Sequence, residues 1–159
     1  MITVKKLKIQ DYLTFNQLIS SEGKDYKEYL QLGWSVNQIK NQLNKNVNFS
    51  YGVFYNNLLI SFILGDLFHI EKSSEYEILL LYVCKNIRNK GIGSKLLKKI
   101  EETKKNNFLI KIYLEVSNKN VKAISFYKKM NFKKIYTRKN YYSIGDEKMD
   151  ALVLIKNLL

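Results

Sequence analysis

Apolar residues come in bursts along this chain, and the spacing within each burst names an element. Ile2 to Leu7 is short and strand-like. Asp11 is placed to cap a helix that would bury Leu13, Leu18 and Ile19. Residues 21–33 are polar and aromatic and predict a loop or a short helix. Ser35 is the expected N-cap of a second helix through Gln38, Ile39, Gln42 and Leu43. Phe49 to Tyr55 and Leu58 to Leu67 read as strands joined by Asn56-Asn57, a two-residue turn that tolerates positive φ. Glu75 to Cys84 is a further strand. Leu96, Leu97 and Ile100 give helical spacing to 93–106. Leu109 to Val116 is again a strand, and Ala123, Ile124, Tyr127 and Met130 place a helix over Asn120 to Met130. Asn131 stands where a helix end needs positive φ. Phe132 to Thr137 and Ala151 to Ile155 are the last strands, with a polar, tyrosine-rich loop expected between them. The order β-α-α-β-β-β-α-β-α-β-β predicts an α/β fold, a central mixed sheet with helices on both faces.

Composition narrows this to one domain over residues 1–159. A 46% hydrophobic content argues against disorder. No stretch reaches the ~20 apolar residues of a membrane span, and Met1 to Lys6 does not open a secretory leader. A cytoplasmic protein without a membrane role is therefore expected, as a monomer or weak dimer. The single cysteine, Cys84, rules out an internal disulfide and a multi-cysteine metal site. The net charge is +13, from 25 Lys and 2 Arg against 14 acids. Seventeen Asn and seventeen Ile accompany the lysines. This joint excess points to an A/T-rich codon bias, so no direct nucleic-acid role is expected. The charge still favours encounter with anionic ligands.

Candidate chemistry begins where the strand ending at Cys84 meets Arg88-Asn89-Lys90-Gly91-Ile92-Gly93-Ser94. Glycines let a backbone approach a ligand closely. The first turn of the following helix offers free N–H groups and a positive dipole end, which suits a pyrophosphate. The spacing matches neither a Walker loop nor a dinucleotide fingerprint. Glu115 ends an apolar strand, where it faces solvent or a cleft. Tyr127 lies on an apolar helix face, where it is a core residue or a cleft residue. Cys84 has no histidine in a predictable partner position, since the only one, His69, lies in a separate segment.

Together these motifs resemble the GNAT acetyltransferases. Arg88-x-x-Gly91-x-Gly93 resembles their acetyl-CoA loop. Leu114-Glu115-Val116, then Asn120-x-x-Ala123-x-x-x-Tyr127 and Met130-Asn131-Phe132, resemble the second half of the family. Arg138-Lys139-Asn140-Tyr141-Tyr142 and Asp150-Ala151-Leu152-Val153-Leu154 are similar to one subgroup, the bacterial ribosomal-protein-alanine N-acetyltransferases (RimI). Gly33-Trp34-Ser35 and Ile60 to Gly65 also resemble that subgroup. Departures include Tyr82 in place of a small residue, Cys84-Lys85 in place of an acid or histidine and a proline, and Met149 in place of glutamate.

The resemblance implies a GNAT fold with acetyl-CoA as co-substrate and no metal. It implies Glu115 as the base and Tyr127 as the acid towards the CoA sulfur. Leu81, Tyr82 and Val83 would hold the pantetheine arm and the thioester carbonyl by backbone groups. Arg88, Asn89, Lys90, Gly91, Ile92, Gly93 and Ser94 would take the pyrophosphate, and Asn120 would contact the cofactor. Trp34, Tyr141 and Tyr142 would flank the acceptor, expected to be a protein N-terminus, most simply a ribosomal protein beginning with alanine. Two other functions compete with this one. The first is a GNAT acting on a small amine or a lysine side chain. The second is a basic ribosome- or RNA-binding module without catalysis, which would have no need of the Glu115–Tyr127 pair.

Overall fold

A computed structural model describes residues 1–159. Seven strands form one sheet in the order β1-β2-β3-β4-β5-β7-β6. They are β1 (Ile2–Leu7), β2 (Ser50–Tyr55), β3 (Leu58–Ile70), β4 (Ser73–Val83), β5 (Leu109–Ser117), β6 (Lys133–Ile144) and β7 (Glu147–Asn157). Only β4 and β5 run parallel, as a helical crossover requires; the other neighbours are antiparallel. The helices are α1 (Thr14–Gln31), α2 (Val36–Leu43), α3 (Ile92–Glu101), α4 (Lys104–Asn107) and α5 (Val121–Lys129). The mixed sheet and its element order are those read from the sequence, with the short α4 added before β5.

Two cores lie on opposite faces of the sheet. Leu96, Leu97 and Ile100 of α3 and Tyr127 of α5 pack on Tyr76, Ile78, Ile112 and Leu114. Phe15, Leu18 and Tyr26 of α1 and Ile39 and Leu43 of α2 pack on Phe62, Leu64, Leu80 and Tyr82. Strand β4 therefore contributes Tyr76 and Ile78 to one core and Leu80 and Tyr82 to the other. Simple alternation would leave all four on one face. The switch is a bulge: Leu64 pairs with Leu80 but Gly65 with Ile78, so Leu79 is an extra residue on β4. Gly65 is required there, because a Cβ would meet the Tyr76 hydroxyl and come within 2.5 Å of the Glu77 carbonyl.

Several expectations are corrected. Residues 21–31 are neither loop nor a separate short helix but continue an unbroken 18-residue α1. Its inward stripe, Phe15, Leu18, Glu22, Asp25, Tyr26 and Tyr29, carries two acids, and these hide the helical period. Asp11 does not cap that helix. It sits in a preceding 3₁₀ turn, Ile9–Leu13, and accepts the Lys8 N–H at 2.9 Å. The helix expected over 93–106 ends at Glu101 and resumes briefly as α4. The tyrosine-rich loop is instead a hairpin, β6 and β7, turning at Gly145-Asp146. Strand β6 is a mostly exposed edge and so lacks apolar alternation. By contrast, Ser35 caps α2, and Asn56, Asn57 and Asn131 all have positive φ.

Candidate active site

Strands β4 and β5 stay paired only as far as Ile78 and Leu114. Beyond the Leu79 bulge they part, and a cavity of about 290 Å³ opens between them. Cys84 donates its N–H to Ile60 of β3. By alternation, the amides of Leu81 and Val83 turn toward the opened edge. The amide of Tyr82 turns toward β3, and its buried side chain points to α1. Of the three β4 residues expected at the cofactor, then, two present amides to the gap and Tyr82 does not.

The floor and walls come from five elements. Strand β5 supplies Glu115, whose carboxylate ion-pairs with Arg138 Nε at 2.8 Å. Helix α5 supplies Tyr127, with Asn120 as its N-cap accepting the Ala123 N–H at 3.1 Å. Burial raises the Tyr127 phenol well above its ordinary value. Its hydroxyl has no partner in the protein, yet no fully enclosed polar atom lacks one, so this hydroxyl opens to the cavity. Trp34 and Tyr29 form the α1 side, and Tyr141 and Tyr142 the β6 side. The last two rings meet edge to face at 5.2 Å. They are thrown inward by a bulge: Arg138 pairs with Ala151 and Tyr142 with Met149, leaving residues 139–141 opposite Asp150 alone. The Asp150 carboxylate fixes this bulge by accepting from Asn140 N–H and Lys139 Nζ, each at 3.0 Å. Burial and the Glu115 charge push the Tyr142 phenol up to about 12. Hydrogen bonding to Glu115, and then its charge, raise Tyr141.

The glycine loop lies outside this cavity, at the open end of β4. Gly91 is left-handed, φ +77°, and begins α3. The first backbone bond of the helix is Lys95 N–H to the Gly91 carbonyl. The amides of Asn89 to Ser94 consequently find no acceptor within the protein. Arg88 is engaged elsewhere. Its Nε donates to the Val83 carbonyl at 2.9 Å, and its guanidinium grips Asp25 of α1. Glu22 accepts from the Lys85 N–H at 2.8 Å and from the Tyr82 hydroxyl at 3.2 Å. Two acids of α1 thus anchor the start of the loop and occupy the Arg88 side chain. Burial, followed by the Glu22 charge, raises the Cys84 thiol to about 11, which keeps it an unreactive strand-end residue. His69 is exposed at the far end of β3.

Sequence reasoning missed Tyr29, Glu28 and Glu77, all of which line the cavity. Burial raises the Glu77 carboxyl, and Asp66 and Glu115 add to the shift. Its only signal was an acid inside the apolar run Tyr76 to Val83.

Residues 14–132 match the family model described as "Acetyltransferase (GNAT) family". The chain belongs to that family and is an acyltransferase. It is 30% identical over 156 residues to "N-alpha-acetyltransferase 50" of Danio rerio, covering 98% of this chain and 83% of the relative. Its fold is similar to that of the ribosomal-protein-S18-alanine N-acetyltransferase of Escherichia coli. That match has a TM-score of 0.76 and 18% identity, over 99% of this chain and 94% of the other. It is also similar to Naa50 of Arabidopsis thaliana, solved with the bisubstrate analogue CoA-Ac-MVNAL. There the TM-score is 0.74 and the identity 24%, over 98% and 97% of the two chains. No helix is long and apolar enough to cross a membrane.

Proposed function

We propose that this acetyltransferase moves an acetyl group from acetyl-CoA to the N-terminal α-amine of a protein. The observation that carries the reading is the opened β4–β5 cleft. It is faced by the Glu115 carboxylate, the free Tyr127 hydroxyl and Leu81, with the Val83 amide further along the same strand edge, and it lies next to the unpartnered amides of Asn89 to Ser94. That run of amides, at the positive end of α3, suits a pyrophosphate. In the Arabidopsis relative the ligand joins CoA to a peptide N-terminus, which supports a shared cleft for the two substrates.

In this reading Glu115 takes a proton from the attacking amine, directly or through a water. An α-amine has an ordinary pKa of about 8, so a carboxylate is base enough. The Leu81 and Val83 amides hydrogen-bond the thioester oxygen as it gains charge. The new C–N bond forms as the C–S bond breaks. Tyr127, whose raised pKa keeps its proton at every physiological pH, hydrogen-bonds the departing sulfur and protonates it. Arg138 balances the Glu115 charge while the amine is absent.

The acceptor's first residue is the finer question. The subgroup resemblance favours alanine on a ribosomal protein. The relatives named for N-alpha-acetyltransferase 50 favour a second reading, a methionine-initiated acceptor. The apolar wall of Leu32, Trp34, Leu79 and Tyr142 suits a long thioether side chain. Five acceptors separate these readings: matched peptides beginning Ala or Met, each with a blocked twin carrying an internal lysine, and spermidine. Acetylation of one free-N-terminal peptide at least tenfold above both blocked twins and spermidine is expected. If spermidine or a blocked peptide is the best substrate, the enzyme is a small-amine or side-chain acetyltransferase instead.

A further inference from the structure

One carboxylate in the cleft has no cation. Asp66, Glu75, Glu77 and Glu115 stand on one face of the sheet, on β3, β4 and β5. Lys45 holds Asp66 at 3.3 Å, Lys111 holds Glu75 at 2.6 Å and Arg138 holds Glu115 at 2.8 Å. Glu77 lies between these acids and takes part in no ion pair. Its side chain has one hydrogen-bond partner, the Tyr113 hydroxyl at 3.5 Å. The chain has 27 basic residues for 14 acids, so the missing partner does not reflect a shortage of cations.

An unpaired anion is costly at this position. Burial raises the Glu77 carboxyl, and the Asp66 and Glu115 charges add to the shift. A purely structural role would favour an uncharged residue there. Glu77 also lines the cleft together with Glu28 and Glu115, and no Lys, Arg or His lines it. The same cavity receives the Tyr127 hydroxyl, which is unpartnered on a side chain only 6% exposed. The cleft is thus open to a ligand on two sides, and its lining is acidic in a chain of net charge +13.

Geometry narrows the ligand. Glu77 lies opposite Tyr113 in the parallel pair, and Glu115 is two residues further along β5. Strand spacing and rise put their Cα atoms about 8 Å apart. No third His, Cys, Asp or Glu joins them to hold a metal ion. An amine at Glu115 leaves Glu77 free for a second cation at about that separation. A lysine or arginine at the second position of a peptide, on its flexible stem, carries its charge about that far from the α-amine.

We propose that Glu77 selects acceptors whose second residue is lysine or arginine, by pairing with the cation of that side chain. The inference rests on the N-terminal acetylation reading. Glu115 remains the base, and Glu77 acts on recognition. A charge-assisted hydrogen bond to a half-buried carboxylate is among the stronger polar contacts. The acid that is unfavourable in the free protein gains its partner only in the complex, so its cost is recovered as selectivity.

The test is steady-state kinetics of the full chain on three peptides that differ only at the second residue, which is lysine, norleucine or glutamate. Each begins with whichever of Ala or Met the first-residue assay favours. Norleucine keeps an apolar stem and drops the charge. In wild type, kcat/KM for the lysine peptide should exceed that for norleucine by about tenfold or more, mostly through KM, with glutamate the poorest. In Glu77→Gln the lysine-to-norleucine ratio should fall to within about twofold. Glu77→Lys should turn the preference toward the glutamate peptide, and melting temperatures check that both variants fold. The proposal is overturned if wild type does not prefer lysine, or if Glu77→Gln keeps the preference. A fall in kcat on all three peptides with the ratio kept would make Glu77 part of the proton handling, and would overturn it too. Acetylation of all three peptides at equal rates sinks this inference alone. Refusal of all three sinks the N-terminal reading and this inference with it.

Discussion

At the scale of single residues, the site depends on groups whose surroundings hold them in one protonation state. Tyr127 is 6% exposed and packs edge to face on Phe126 and Phe132. Tyr127→Phe keeps the ring and that packing and removes only the hydroxyl. Turnover is expected to fall by about 10²–10⁴-fold, the usual worth of an acid catalyst, with acetyl-CoA affinity within a few-fold of wild type. A kcat close to wild type would make Tyr127 a packing residue. Glu77 makes the opposite case. Its carboxyl is raised from 4.5 by burial, and next by the charges of Asp66 and Glu115. A raised acid favours the folded state below its unfolded pKa and loses that contribution as pH rises through its folded value. Glu77→Gln should therefore gain on wild type in melting temperature between pH 4 and pH 8. Because the group is half exposed, solvent screening limits the gain to about 1–3 °C. A variant less stable than wild type at pH 8 would mean that Glu77 has a favourable partner as an anion.

At the scale of elements, α1 does more than cover the sheet. Glu22 and Asp25 reach across to Lys85, Tyr82 and Arg88 and fix where the loop after β4 begins. Partial burial pushes the Asp25 carboxyl up, but hydrogen bonds from Arg88 and Tyr82 and the Arg88 charge outweigh it and hold it below 3.8. A lowered acid stabilises the fold above its unfolded pKa and loses that as pH falls through its folded value. Asp25→Asn is thus expected to destabilise the protein at pH 7 and to converge on wild type below about pH 3.8. Its KM for acetyl-CoA should rise more than its KM for peptide, because the loop loses its anchor and the peptide walls do not. Equal changes in both constants would show that α1 acts on the whole cleft. This clamp also marks where sequence reading stops. Glu115, Tyr127 and the glycine loop were legible because each sits in a local pattern of strand end, helix face or helix start. The clamp was not, because it joins residues some sixty positions apart and places acids in a helix's inward stripe, where periodicity counts them as breaks. The second half of β6, beyond Thr137, was missed for a related reason: an edge strand with both sides wet carries no apolar alternation. The Leu79 bulge leaves only one faint trace, since Tyr76 to Tyr82 alternate without a break while the faces they serve exchange.

At the scale of the molecule, one sheet separates two cores, and the bulge in β4 is where it stops separating them. Beyond Ile78 the strands diverge, so the cleft is a seam between the α1–α2 side and the α3–α5 side. A ligand seated in that seam touches both cores and the amides of the glycine loop, but neither outer edge strand, β1 or β6 near Lys133. Binding at ~100 times its dissociation constant adds about 2.7 kcal/mol to the folded state. Hydrogen exchange locates where that protection falls. With saturating acetyl-CoA, the amides of Asn89 to Ser94 and of Leu81 and Val83 should exchange at least tenfold more slowly. Those of β1 and of Lys133 to Thr137 should stay unchanged. Gly91→Val tests the loop directly. The space around a Cβ at Gly91 is open, but its φ of +77° is unfavourable for a β-branched residue. This variant should be less stable without ligand and show no protection with it. Gly91→Asn, which tolerates that φ, should recover the stability and part of the protection. Protection spread evenly over the whole sheet would mean that acetyl-CoA tightens the fold globally. Protection confined to β6 and β7 would move the donor site from the loop to the hairpin and overturn the assignment of Asn89 to Ser94.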